Sequence, residues 1–129
     1  MLQSVNPANL QVVKTYPQMQ PSEVSKIIDL ANNAFEEWGD TSFNFRSELM
    51  TKAANVLRRK KEQYSKLMTL EMGKPIAQSR AEVDKCAWVC EYYAANAEKF
   101  LTDELISTDA SKSFVTFRPL GIVDRKSVV

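Results

Sequence analysis

The sequence predicts a mainly α-helical fold with a short β-strand near each end. Three observations carry that expectation. Apolar residues recur three and four apart from about residue 24 to residue 100, the period of amphipathic helices. Two runs of strand formers, 10–16 (Leu-Gln-Val-Val-Lys-Thr-Tyr) and 112–118 (Lys-Ser-Phe-Val-Thr-Phe-Arg), lie on either side of that span. Prolines and glycines fall at the joints, where they interrupt one element and open the next.

The first strand is bounded by Asn6-Pro7 before it and Pro17 after it. Pro21 suits the first position of a helix, where a missing N–H costs nothing, with Gln20 or Ser22 as the cap. Val24, Ile27, Ile28, Ala31, Ala34, Phe35 and Trp38 then form one apolar stripe, and Gly39 can take the left-handed conformation that ends such a helix. Asp40, Thr41 and Ser42 are the next cap candidates. Phe45, Leu49, Ala53, Val56 and Leu57 continue at helical spacing, and Tyr64, Leu67, Met68 and Glu71 follow. One helix over that whole length is unusually long, which places a break near Lys60-Lys61. Gly73 stops the segment and Lys74-Pro75 starts the longest helix, through Val83, Cys86, Ala87, Cys90 and Ala97 to Phe100. Residues 102–111 are polar and read as a connection, and the second strand ends at Pro119.

Composition removes whole classes of function. With 17 basic and 16 acidic residues among 129, the net charge is +1, which leaves no basic excess to hold a nucleic acid or an acidic membrane. There is no His, hence no Ser-His or Cys-His nucleophile pair and no imidazole ligand for a metal. The three glycines, Gly39, Gly73 and Gly121, are too scattered for a phosphate-binding turn. No apolar run reaches the roughly 18 residues of a membrane span, and the opening residues resemble no secretory signal. Two cysteines without a glycosylation sequon fit a reducing cytoplasm.

Three groups of residues invite a chemical role, and each has a plainer explanation. Cys86 and Cys90, four apart on a helix, share a face. Without further ligands they read as small apolar residues packed in a core. The run Arg58-Arg59-Lys60-Lys61 has no interleaved aromatics and reads as a solvated helix end favoured by the helix dipole. Glu36-Glu37 and Asp103-Glu104 are adjacent pairs, and adjacent helical residues point apart, so they read as surface charge.

A further set of motifs is more specific. Thr69-Leu70-Glu71-Met72-Gly73-Lys74-Pro75, with Ala81-Glu82-Val83, Tyr92-Tyr93-Ala94 and Arg118-Pro119-Leu120-Gly121-Ile122-Val123, resembles the N-terminal part of an NAD(P)-dependent aldehyde dehydrogenase. Asn6-Pro7, Ala34-Phe35 and Trp38 fit the same template, and Lys85-Cys86-Ala87 with Phe117-Arg118-Pro119 resembles the bacterial succinate-semialdehyde dehydrogenases within that superfamily. The resemblance implies that residues 1–123 form an incomplete N-terminal part, from the cofactor-domain region, of the α/β aldehyde dehydrogenase fold. Residues 124–129, Asp-Arg-Lys-Ser-Val-Val, form a divergent tail where the family continues with an apolar strand.

The family oxidises aldehydes through a cysteine thiolate, hydride transfer to NAD or NADP, and a glutamate that activates water. The motifs for those groups and for the dinucleotide are expected beyond this segment, and neither Cys86 nor Cys90 matches the catalytic cysteine. The resemblance therefore implies no catalytic or cofactor-binding residue here and no tight dinucleotide binding by this chain. It implies Glu71 near a monovalent cation, and Ala81, Lys85 and Trp88 at the mouth of the aldehyde tunnel. The partners implied are the rest of an aldehyde dehydrogenase chain and further copies in a homo-oligomer, with no nucleic acid and no membrane. The alternative is a free-standing, non-enzymatic helical interaction module derived from the family.

Overall fold

The structure, a computed structural model, describes residues 1–123; the divergent tail 124–129 lies outside the described residues. The element order is β1 (Leu2–Val5), β2 (Val12–Tyr16), α1 (Pro21–Gly39), α2 (Phe43–Arg59), α3 (Lys61–Met72), α4 (Ile76–Phe100), β3 (Glu104–Leu105) and β4 (Phe114–Val115). Helices dominate, as the sequence predicts, and each predicted strand is one member of an antiparallel pair. The chain divides into two compact units. One comprises Met1–Gln18 with Asn44–Ala95, the other Met19–Phe43 with Asn96–Val129.

The first unit is built on a thin core of small residues. Ala54 of α2, Ser65 of α3 and Ser79, Val83 and Ala87 of α4 are buried, and four of the five are shielded from solvent entirely. Side chains this small let helix backbones approach closely. The two buried hydroxyls are satisfied without solvent: Ser65 Oγ donates to the Lys61 carbonyl (2.7 Å), and Ser79 Oγ meets Thr69 Oγ1 at 3.1 Å. Cross-helix contacts pair Ser47 with Ala94, Arg58 with Glu91, Lys61 with Asp84, Glu62 with Arg80 and Thr69 with Ser79. As one chain position rises the other falls, so α4 runs antiparallel to α2 and α3.

The expected break near Lys60-Lys61 is present but slight. Lys60 leaves helical geometry (φ −101°, ψ 18°), yet the bonds from Lys60 N to Val56 O and from Tyr64 N to Lys60 O continue across it. Gly73 ends α3 as expected, at φ +67° with its N–H bonded to the Thr69 carbonyl. It also admits a neighbour: a Cβ there would stand 2.8 Å from Pro7 Cγ.

Pro7 belongs to a hairpin that the sequence reading captured only in part. Residues 2–5 pair antiparallel with 12–16, in register Leu2↔Tyr16, Gln3↔Thr15, Ser4↔Lys14 and Val5↔Val12, with an irregularity between Ser4 and Val5. Strand β1 was not anticipated, because four residues with little alternation give no signal until a partner supplies the ladder. The connecting turn is local chemistry. Asn6 Oδ1 accepts from Ala8 N, Asn9 Oδ1 accepts from Gln11 N, and Leu10 takes φ +60°.

The second unit holds α1. Pro21 occupies its first turn after Gln20, and the Glu23 carboxylate turns back to accept the Gln20 N–H at 2.7 Å. Its far end corrects the expectation for Gly39. That residue stays helical, and the helix closes on Asp40 at φ −83°, while the Thr41 N–H and hydroxyl both donate to the Trp38 carbonyl. No residue of α1 is buried; Ile27 and Ile28 are about half exposed, at 49% and 52%. Phe35 alone of the stripe is half-buried, with Gly121 at φ +99° lying over its ring.

The strand predicted over 112–118 shrinks to Phe114–Val115, and residues 102–111, read as a connection, contain its partner Glu104–Leu105. Two residue pairs and the Ile106 N to Ser113 O bond hold this hairpin.

Two substitutions test this account. Ala87→Leu, at a position shut off from solvent, is expected to cost about 1–3 kcal/mol in urea unfolding, whereas Ala81→Leu on the exposed side of the same helix leaves the midpoint nearly unchanged. Gly73→Ala is expected to lose about 1–2 kcal/mol from its left-handed backbone alone. It loses more from Pro7, and adding Pro7→Ala should restore only the second part.

Candidate functional site

Helix α4 carries the richest side-chain arrangement, and its 3.6-residue turn sorts the residues by face. Ser79, Val83 and Ala87 stack along the buried side. Arg80, Asp84 and Glu91 stand on its flank and reach α2 and α3. Ala81, Glu82, Lys85, Cys86, Val89 and, at the edge of the buried side, Cys90 line a groove of about 680 Å³ open to solvent.

The flank is a ladder of opposite charges. Arg58 grips Glu91 with two bonds, Nε to Oε1 at 2.9 Å and Nη2 to Oε2 at 2.7 Å. Arg80 grips Glu62 in the same forked way at 2.9 and 2.8 Å. Lys61 Nζ lies 2.5 Å from Asp84 Oδ2, and Lys74 pairs with Glu82 at the rim of the groove. Hydrogen bonds from the guanidinium groups, more than charge alone, hold the Glu62 and Glu91 carboxyls below their ordinary range and push Arg58 and Arg80 upward. The basic run 58–61 is thus not simply a solvated helix end: Arg58 and Lys61 each engage a carboxylate of α4. Sequence alone hides this, because the partners stand 33 and 23 residues away rather than three or four.

Of the residues that the family resemblance implies, Ala81 and Lys85 share the groove. Lys85 makes no ion pair among the described residues, so its ammonium is available to the groove. Trp88 is not a lining residue; it is 56% exposed on the neighbouring face and stacks on Tyr92 with ring centres 5.7 Å apart. Tyr92 in turn meets Tyr93 edge-on at 5.4 Å. Glu71 stands on α3, half-buried, where Oε1 accepts the Ser4 hydroxyl at 2.9 Å. A hydroxyl beside a carboxylate gives two oxygen donors of the kind a hard cation takes.

The cysteines depart from expectation. Cys86 is exposed and Cys90 half-buried, so neither is core packing. Val83 and Ala87 of the same stripe are buried, whereas Cys86 and Cys90, seven residues after Ser79 and Val83, lie at its edge toward the groove; helical period alone cannot tell which members of a stripe are covered. The carboxylate pairs Glu36-Glu37 and Asp103-Glu104 are exposed, in keeping with surface charge. Among the described residues no group of three or more His, Cys, Asp or Glu is arranged to hold a metal, and no helix is long and apolar enough to cross a membrane.

Comparison with known proteins places this architecture. Residues 1–125 match the model of the aldehyde dehydrogenase family. This chain belongs to the aldehyde dehydrogenase family. It is 43% identical over 120 residues to a Synechocystis sp. protein described as "Probable succinate-semialdehyde dehydrogenase (NADP(+))", an alignment covering 93% of this chain and 26% of that protein. The succinic semialdehyde dehydrogenase of Streptococcus pyogenes, solved in complex with NADP+, superposes with a TM-score of 0.82 at 28% identity, over 88% of this chain and 25% of that one. A glyceraldehyde-3-phosphate dehydrogenase from Methanocaldococcus jannaschii, complexed with NADP, gives 0.80 at 28% identity, over 88% and 25%. The chain thus spans about a quarter of the length of the aldehyde dehydrogenases it matches, and its helices and strand pairs correspond to that part of their fold.

The ion-pair ladder makes a pH prediction. Because the folded-state carboxyls of Glu62 and Glu91 titrate below their ordinary value of 4.5, the stability they contribute is complete above that value and is lost as pH falls through the lowered one. Melting temperature followed downward from pH 6 is expected to fall less steeply in Glu62→Gln/Glu91→Gln than in the parent chain. Equal slopes would show that the two pairs carry no linkage.

Proposed function

We propose that this chain is the N-terminal scaffold of an aldehyde dehydrogenase that oxidises succinate semialdehyde to the dicarboxylate with NADP or NAD. The match of residues 1–125 to the family, together with 43% identity to a protein described as a succinate-semialdehyde dehydrogenase, carries this reading. In it, residues 1–123 form part of the cofactor-domain region, and the remainder of the enzyme and further copies in a homo-oligomer are the partners. The setting is the cytoplasm. The thiolate, the water-activating glutamate and the dinucleotide-binding residues come from outside this segment, so this chain alone neither turns over aldehyde nor holds a dinucleotide tightly.

Within that assembly the α4 groove, with Ala81 and Lys85, is one wall of the substrate entrance, and Trp88 stands beside it. A cationic side chain there suits an aldehyde bearing a carboxylate, since a focused positive charge raises the local concentration of an anion. Glu71, held by Ser4, supplies one carboxylate oxygen to a monovalent cation; two oxygens are too few for such an ion, so the site is completed by other groups. The half-exposed apolar stripe of α1 favours a scaffold over a self-sufficient interaction module, because a module that folds alone would bury such a stripe itself.

The purified chain is expected to reduce neither NADP nor NAD with succinate semialdehyde, followed at 340 nm. Activity is expected when the chain is fused to the remaining three-quarters of the Synechocystis relative. In that fusion Lys85→Glu should raise KM for succinate semialdehyde on the order of tenfold, with little change for an uncharged aldehyde of similar size. Turnover by the chain alone that survives Cys86→Ser/Cys90→Ser would refute the scaffold reading.

A further inference from the structure

The two cysteines form a feature that the scaffold role leaves unused. Cys86 and Cys90 line one groove, four residues apart on a helix, and the groove is open to solvent. At that spacing Cβ atoms stand roughly 5–6 Å apart. A disulfide needs about 3.5–4.5 Å between Cβ atoms and an S–S bond of about 2 Å, so direct oxidation would require the helix to distort. An ion placed between the sulfurs relaxes that demand. With metal–thiolate bonds of about 2.3 Å, the sulfurs stand roughly twice that far apart, a span that fits two neighbouring turns of one helix.

The surroundings select the ion. No group of three or more His, Cys, Asp or Glu among the described residues is placed to hold a metal, and the chain has no His and no third Cys. A zinc ion, which takes four protein ligands in structural sites, would be left half-coordinated. The nearest carboxylate of the row, Glu82, is paired with Lys74. Soft thiolates suit Cu(I), zinc and iron–sulfur centres, and of these the monovalent Cu(I) is the one that two thiolates satisfy. Two thiolates around one Cu(I) carry a net charge of −1, next to the Lys85 ammonium in the same groove.

We propose that Cys86 and Cys90 form a two-coordinate dithiolate site for Cu(I) in the groove along α4. Binding involves no change of oxidation state: two S–H bonds break, two Cu–S bonds form, and two protons pass to solvent. This site lies in the same α4 groove as the substrate entrance proposed above, but it does not rest on that reading, and its test reads metal rather than turnover.

The experiment titrates the reduced 129-residue chain, without oxygen, against Cu(I) held by bicinchoninate, whose colour is lost as the protein takes the ion. The expected result is one Cu(I) per chain with release of two protons. Either Cys86→Ser or Cys90→Ser should weaken binding on the order of 100-fold or more, because the second thiolate acts at a high effective concentration. Both side chains face the groove, and circular dichroism checks that the variants keep their helices. Cys86→Ser/Cys90→Ser measures any uptake by the five methionines. The proposal is overturned if uptake by the parent chain does not exceed that of the double variant, or if a single variant binds as tightly as the parent. It is also overturned if native mass spectrometry shows one Cu(I) bridging two chains, or if air alone rapidly links Cys86 to Cys90.

Discussion

The close seating of α4 against α2 and α3 is the constraint on which the first unit rests. Ala54, Ser65, Ser79 and Ala87 leave no solvent-accessible surface at their crossing, and only Val83 adds a larger apolar side chain. Short side chains bring backbones together but remove little apolar surface from water. At ~25 cal/mol per Å², a core of alanines and serines contributes far less than one of leucines. The buried hydroxyls add no net cost because each has a partner, Ser65 in its own helix and Ser79 across to Thr69. What the small core gives up in burial it recovers in definition: fully enclosed small side chains leave little room for another register.

The charge ladder works on that same register. Exposed ion pairs each contribute little to stability, and these are exposed enough that none should be credited with much. Their geometry matters more than their energy. Two forked guanidinium–carboxylate pairs, with Lys61–Asp84 between them in the sequence of α4, pin the rotation of that helix about its own axis. Rotation decides which residues look outward. With Arg80, Asp84 and Glu91 committed to the flank, Ala81, Lys85 and Val89 are carried to the far side, and Cys86 and Cys90 to the shoulder between groove and core.

Much of the fold was legible because it is written in residues with few conformational options. Pro21 could only open a helix, Gly73 could close one in the left-handed region, and the long periodic run from Ile76 to Phe100 could hardly be anything else. The failures share a physical cause. Strand β1, and Glu104–Leu105 within a polar stretch, exist through pairing with a partner rather than through their own pattern. Gly39 was free to turn left-handed, but the Thr41 hydroxyl and N–H closed the helix on Trp38 instead. The cysteines follow the buried row at seven-residue spacing from Ser79 and Val83, and periodicity cannot show that this edge of the row stays open. Of the site, the groove positions Ala81 and Lys85 came from family likeness rather than from spacing, and Glu71's bond to Ser4 depends on a hairpin that was only half foreseen.

The second unit shows the opposite economy. Its helix α1 has a well-formed apolar stripe, yet Val24, Ile27, Ile28 and Trp38 remain between 43% and 52% exposed. Burying such a side chain fully is worth about 1.5–3 kcal/mol, so a stripe of four left half-open forgoes a large part of its possible stabilisation. Helices in water draw most of their stability from packing of that kind, not from propensity. A sequence that keeps the stripe, caps the helix with Pro21 and Glu23, and yet covers only Phe35 has its local and long-range signals out of balance within these residues. Helix α4 differs in having a buried row, Ser79, Val83 and Ala87, beside its exposed Trp88, Tyr92 and Tyr93, whereas no residue of α1 is buried. The helix that carries the groove thus has a covered side of its own, while the helix that carries the stripe has none.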